Sequence, residues 1–251
     1  MTDAAGPDDL HERTASGVEV ERVLVVTAHP DDVDFGAAGT VATWTDRGIE
    51  VVYCIVTDGD AGGFDPAIPR TAIAGIRRDE QAAAAKAVGV ERLVFLGYPD
   101  GRLLPTLDLR RDISRVIRQV RPQRLLCQCP QRNFSRIYAS HPDHLAAGEA
   151  ALCAVYPDAR NPFTFTELID EGLDAWSVQD VWMMGGPNPQ HPVDITDHLD
   201  RKISALLCHA SQHPDPDQMA TRVRAWGAMQ AEQFGLGAGR AAESFQVIDT
   251  R

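Results

Sequence analysis

The chain has 251 residues, 44% of them hydrophobic and 24% charged, with 36 acidic against 24 basic side chains and a formal net charge of -12. That length fits one large domain with a substantial core, and the composition is ordinary for a soluble globular protein. The acidic balance argues against nucleic acid as a partner, because that binding rests on clustered Lys and Arg, and no run approaches the roughly 20 apolar residues of a membrane span.

The five cysteines make no CxxC pair and read as reduced, buried thiols. Met1 to Gly17 is polar and lacks the apolar core of a signal peptide. A disordered tail over 1–17, a single domain over 18–251 and a cytoplasmic location are therefore expected.

Val20 to Ala28 is nearly continuous Val and Leu, which suits a parallel strand covered on both faces. It ends in His29-Pro30-Asp31-Asp32. Gly36 to Arg47 has helical spacing, and Glu50 to Thr57 is a second strand that runs into the Gly/Asp-rich loop Asp58 to Gly63. An Ala-rich helix is expected from Thr71 to Val88, stopped by Gly89. Arg92 to Leu96 is a third strand closing on the turn Gly97-Tyr98-Pro99-Asp100-Gly101. Leu107 to Val120 is an amphipathic helix, Arg124 to Cys129 a fourth strand, and 130–140 a long loop into His141-Pro142-Asp143-His144. A helix over Leu145 to Val155, a fifth strand over Asp180 to Met184 and helices over Ile195 to Ala210 and Met219 to Phe234 complete the reading. Asn161 to Leu173 and the residues from Gly235 onward stay unassigned. The alternation specifies an α/β fold: a Rossmann-like doubly wound, mostly parallel sheet flanked by helices, in a single domain.

In such a sheet ligands sit beyond the carboxyl ends of the strands, where His29 to Asp34, Asp58 to Gly63, Asp100 and His141 to His144 all fall. A dinucleotide site would need G-x-G-x-x-G after the first strand, and none is there. Metal binding fits better. His29, Asp32 and His144 supply three protein ligands of the kind a catalytic zinc takes. Asp31 is then the candidate general base, His141 a hydrogen-bond or proton donor, and Asp143 a carboxylate that fixes an imidazole tautomer. A cation held there brings bound water to a pKa near ~7. Either cluster alone also reads as a helix cap; two, each after a strand of one sheet, point to a shared site. Trp176, Trp182 and Trp226 read as core or interface.

Ala28-His-Pro-Asp-Asp32 followed by His141-Pro-Asp-His144 resembles the LmbE/PIG-L family of zinc-dependent N-deacetylases. Val56-Thr-Asp-Gly59, Arg77-x-x-Glu80, Leu96-Gly-Tyr-Pro-Asp-Gly101 and His209-Ala-Ser-Gln212 resemble its other patterns, in the family's order. The resemblance implies hydrolysis of an N-acetyl group on an acylated amino sugar, with Zn2+ held by His29, Asp32 and His144; two imidazoles and one carboxylate would also accept Fe2+, Mn2+ or Co2+. It implies Asp31 as base and His141 as the residue that polarises the carbonyl or protonates the amine. Arg77 and Asp100 fall where members contact substrate or support the site. Some members carry a tyrosine two residues before the histidine that corresponds to His141; here Ala139 stands there, and Tyr138 is the substitute candidate. Asp34 and His209 receive no role. A trimer or hexamer is implied. Alternatives are an amidase cutting a larger mycothiol-like thiol-sugar conjugate and a noncatalytic sugar-binding protein.

Overall fold

The computed structural model describes residues 9–251. β1 (Arg22–Thr27), β2 (Glu50–Thr57), β3 (Arg92–Tyr98), β4 (Arg124–Gln128) and β5 (Asp180–Met184) form a parallel set. The intervening helices are α1 (Asp32–Asp46), α2 (Arg70–Ala87), α3 (Leu107–Val120), α4 (Pro142–Cys153) and the short α5 (Thr166–Asp170). β6 (His191–Asp194), α6 (Leu199–Leu207), α7 (Pro216–Gln233) and β7 (Ala242–Asp249) follow. β7 pairs antiparallel with both β5 and β6, giving a seven-stranded sheet of order β3-β2-β1-β4-β5-β7-β6.

The sheet is mostly parallel, as expected, with an antiparallel edge the sequence did not reveal. His191-Pro-Val-Asp194 is too short and too polar to announce a strand. Ala242 to Asp249 shows no regular alternation of buried and open positions, and it follows a glycine-rich stretch that reads equally as returning to the body or dangling. Two element starts also differ. α1 begins at Asp32 and α4 at Pro142, so Asp32 and His144 sit in first helical turns instead of in loops. α4 starts on the proline of its His-Pro pair, a residue whose fixed φ suits a helix start, and α1 starts one residue beyond its own pair, after the N-cap Asp31.

β1 lies at the centre and serves both layers. Val23 and Val25 pack with α1 residues such as Val33 and Val41, while Leu24 and Val26 pack with Ile113 and Ile117 of α3 and Ala147 of α4. Val23, Leu24, Val25 and Val26 are each fully buried, at roughly 1.5–3 kcal/mol apiece. That is why the run carries no polar alternation. Arg124 and Asp180 form a fully buried, two-pronged ion pair between β4 and β5, both bonds 2.9 Å. Of the tail expected over 1–17, residues 1–8 lie outside the described residues. From Asp9 onward the chain is held, because Arg124 also donates to the carbonyls of Leu10 (2.7 Å) and Arg13 (2.9 Å).

After β1 the chain winds outward through β2 and β3, then returns to place β4 on the other side of β1. The order reverses between β1 and β4, and a crevice opens at their carboxyl ends. His29 follows one of these strands and the His141 to His144 cluster the other. The topology therefore joins two clusters more than 100 residues apart.

Candidate metal and acid-base site

Asp32 spans the two imidazoles. Its Oδ2 lies 3.3 Å from His29 Nδ1 and its Oδ1 2.9 Å from His144 Nε2. The backbone N–H of His29 also donates to Oδ2, at 2.7 Å. His29 Nε2 faces two further carboxylates, Asp100 at 3.0 Å and Asp143 at 3.3 Å. Asp143 is fixed in turn by N–H donors from Gly101 (2.7 Å) and Leu103 (3.2 Å). Burial alone would lower the His29 pKa, but Asp32, Asp100 and Asp143 outweigh it and push it up to about 12. Burial would likewise raise Asp32, and the facing His144 and His29 hold it well below the usual carboxylate range. Such a surplus of negative charge around buried imidazoles is what a divalent cation offsets, in competition with the imidazole proton. The donor set of two imidazoles and one carboxylate suits zinc and its first-row neighbours. Among the described residues, two groups of three bring ligand atoms within 4.8 Å of one another: His29, His141 and His144, and His29, Asp100 and Asp143; neither takes in Asp32. His29 belongs to every combination.

Asp31 is kept apart from that centre. It caps α1 with φ 89°, a left-handed conformation that costs of the order of 1–3 kcal/mol in a non-glycine residue. Its N–H donates to Gln81 Oε1 at 2.8 Å, and its carboxylate accepts from Arg77 Nη2 at 3.0 Å. Burial raises the Asp31 pKa to about 6, Arg77 pulling against it and Asp32 adding to it. Arg77 is buried at 4% exposure, so this helical arginine turns inward. It also donates to the carbonyls of Gly59 and Pro30. The loop after β2 is glycine-rich for the same reason: a Cβ at Gly59 would stand 2.2 Å from Arg77 Nη1.

His141 is the N-cap of α4, its Nδ1 accepting from the Asp143 N–H at 3.2 Å. Burial, with His29 and His144 nearby, lowers its pKa. The ring is neutral at neutral pH, and an accepting Nδ1 places its proton on Nε2. Asp143, which the sequence offers as a carboxylate beside an imidazole, lies against His29 Nε2. Asp100 joins the same ring while its other oxygen accepts from Ala61 N–H at 3.2 Å. Tyr138 is 87% exposed and stands at the rim of a cavity of about 550 Å3 that opens onto Asp32 and His144. Trp226 lines that cavity too, whereas Trp182 is fully buried in the core as expected.

Three residues without an assigned role form one buried chain behind Asp31. Gln81 Nε2 donates to Asp34 Oδ2 at 2.9 Å, and the same oxygen lies 2.8 Å from His209 Nε2. Burial opposes protonation of His209, and Asp34 reverses that and raises its pKa. Gln81 was legible in principle, because it stands four residues after Arg77 and so shares its helical face. Glu80 receives the N–H and hydroxyl of Ser211, both at 2.7 Å, which ties α2 to the His209-Ala-Ser-Gln212 turn.

Residues 24–155 match the family model for PIG-L, GlcNAc-PI de-N-acetylase. A diacetylchitobiose deacetylase of Thermococcus kodakarensis is 36% identical over 197 residues, 78% of this chain and 72% of that protein. A probable N-acetyl-alpha-D-glucosaminyl L-malate deacetylase 2 of Bacillus anthracis is 30% identical, covering 76% of this chain and 80% of its own. The structure of N,N'-diacetylchitobiose deacetylase from Pyrococcus horikoshii, complexed with its inhibitor, superposes with a TM-score of 0.84 at 29% identity, over 92% of this chain and 84% of that one. With more than half its length matched by the family model and those relatives aligned along most of theirs, the chain belongs to the PIG-L family of de-N-acetylases.

Proposed function

We propose that this protein is a divalent-cation-dependent hydrolase that removes the N-acetyl group from an N-acetylglucosamine-type conjugate, with zinc as the cation. The observation that carries the reading is the division of labour between adjacent carboxylates. Asp32 faces His29 and His144, and Asp31 is turned away to Arg77. His29, Asp32 and His144 would hold the cation, with Asp100 and Asp143 orienting the His29 ring. When bound, the cation polarises the acetyl carbonyl and acidifies water.

Asp31 takes the proton from the attacking water. A pKa of about 6 suits a base that must be ionised near neutrality and still accept a proton. As the new C–O bond forms and charge gathers on the acetyl oxygen, the Nε2–H of neutral His141 donates to it. The amide C–N bond then breaks, and Asp31 returns its proton to the departing nitrogen. Acetate and a free amine result. Arg77 holds the base throughout, and Asp100 and Tyr138 are the substrate contacts this reading assigns.

The relatives compared are named as deacetylases, so cleavage of a larger thiol-sugar conjugate gains no support. The test is an acetate-release screen of N-acetylglucosaminyl compounds with protein stripped and reloaded with Zn2+, Fe2+, Mn2+ or Co2+. Acetate release that needs the cation is expected. A fully loaded protein that releases none from any of these compounds defeats the reading.

A further inference from the structure

We propose that Gln81, Asp34 and His209 are positioning residues for Asp31: His209 and Asp34 fix which way the Gln81 amide faces, and the amide oxygen then holds Asp31 in the backbone conformation that aims its carboxylate. This rests on Asp31 being the base in the deacetylase reading above. Asp31 sits at φ 89° and ψ -25°, a conformation that persists in a non-glycine residue only when its surroundings hold it. Its carbonyl accepts from the N–H groups of Asp34 and Phe35 at 2.9 and 3.0 Å, as an N-cap carbonyl does in any helix. The remaining holds come from α2. Arg77 grips the carboxylate at 3.0 Å, and Gln81, one turn later, takes the N–H on Oε1 at 2.8 Å.

A primary amide has an acceptor end and a donor end of nearly equal shape, so packing alone does not choose between them. The Asp34 carboxylate does. It takes Gln81 Nε2 at 2.9 Å, which leaves Oε1 for Asp31. A reversed amide would set oxygen against oxygen at one end and N–H against N–H at the other. His209 Nε2 holds the same Asp34 oxygen at 2.8 Å and keeps it turned to Gln81. All three side chains are at 0% exposure, so solvent has no part in setting the amide. Among the described residues these side chains bond only to one another and to the Asp31 N–H. Stability does not account for the set. Asp34 Oδ1 and His209 Nδ1 are buried and meet no partner among the described residues, which costs free energy. Lys202 and Glu243, another buried charge pair against α1, meet at 2.6 Å, and both Glu243 oxygens accept further donors. That pair is saturated and serves the fold. A network that keeps two orphans and ends on the N–H of one strained aspartate serves that aspartate.

The test is a set of variants of zinc-loaded protein, assayed for acetate release from the compound that the wild type turns over fastest in the screen above. Gln81→Met keeps the volume and removes the amide. It should lower kcat by about 10–100-fold, the effect of an ångström-scale misplacement of a reacting group, with KM and bound metal at wild-type values. In an Asp31→Asn background the same change should lower kcat no further, because the group it positions is gone. His209→Leu should fall as Gln81→Met does, and His209→Gln, which keeps an N–H for Asp34, should recover most of the loss. Should Gln81→Met not fold, Asp34→Asn carries the same expectations, since an amide at 34 no longer dictates the direction of Gln81. Wild-type kcat in the single variant, metal lost in parallel with activity, losses that multiply in the double variant, or a His209→Gln no better than His209→Leu each overturns the proposal. Full activity in Asp31→Asn alone removes the base and the proposal with it. If the wild type releases no acetate, the deacetylase reading falls, and the positioning is read from hydrogen exchange of the Asp31 N–H in zinc-loaded protein. Exchange faster by about tenfold in Gln81→Met and His209→Leu but not in His209→Gln, the effect of one lost hydrogen bond, supports it, and equal exchange in all four proteins overturns it.

Discussion

Two neighbouring aspartates in one turn meet opposite surroundings, and their substitutions should fail differently. Asp31→Asn keeps the shape and the left-handed backbone, which asparagine tolerates, but removes the proton acceptor. Turnover should fall by about 10^2–10^4-fold while metal content stays at that of the wild type; a variant that still turns over normally would remove Asp31 from the mechanism. His144→Ala should lose the bound metal itself on dialysis, measured by elemental analysis. Asp143→Asn acts one shell further out and should weaken metal affinity by about 10–100-fold. The pH dependence follows from the direction of the Asp31 shift. Its pKa is raised to about 6, so the ionised base is present above that value and lost as pH falls through it. A bound cation pulls the midpoint lower still. The acid limb of kcat/KM should therefore fall at or below about pH 6, and a limb centred a unit or more higher would contradict the assignment. At this scale the sequence was informative about ligand types, because His-Pro-Asp-Asp and His-Pro-Asp-His concentrate the needed chemistry. It was silent about Arg77 turning inward to Asp31 and Asp143 reaching His29, contacts between residues far apart along the chain.

Helices α1 and α4 carry the site residues on their first turns, and each comes close to its strand layer through a glycine. A Cβ at Gly148 would meet the carbonyl oxygen of Gln128 at 2.2 Å, and one at Gly36 would meet the sulfur of Met184 at 2.1 Å. These clashes are not equivalent. Backbone of a central strand cannot yield, whereas a methionine side chain bends readily. Gly148→Ala should cost about 1–3 kcal/mol or more and shift metal affinity, because α4 bears His144. Gly36→Ala should cost less. Urea unfolding of the two variants, beside metal titration, checks both the order and the coupling. The parallel strands and their helices were legible because apolar runs of strand length alternate with helical spacing. The antiparallel β6 and β7 were not, since β6 is four residues long and its partner is defined only by pairing.

Across the whole molecule, the largest buried charges are structural. Arg124 and Asp180 are fully buried, and the guanidinium lies 4.3 Å over the Trp182 ring. Removing one partner of such a pair strands the other. Asp180→Ala should cost about 3–5 kcal/mol in denaturant unfolding and free the segment before β1 to proteolysis, since the same arginine holds Leu10 and Arg13. A loss under about 1 kcal/mol would show that water reaches the pair.

The Lys202 and Glu243 pair has a different bearing. Glu243, on β7, accepts from the backbone N–H groups of Gly39 and Thr40 and from the Thr40 hydroxyl, while Lys202 donates to the carbonyl of Phe35. The helix that begins at Asp32 is thus stitched along its flank by the last strand of the chain. During synthesis every proposed metal ligand has been made by residue 144, yet the partner that secures the helix bearing Asp32 arrives about a hundred residues later, in a strand that also walls the cavity. A ribosome-bound chain halted before β7 would carry the full complement of chemistry with its first helix unanchored, so the competence to hold metal should appear late and abruptly, as the C-terminal strand docks.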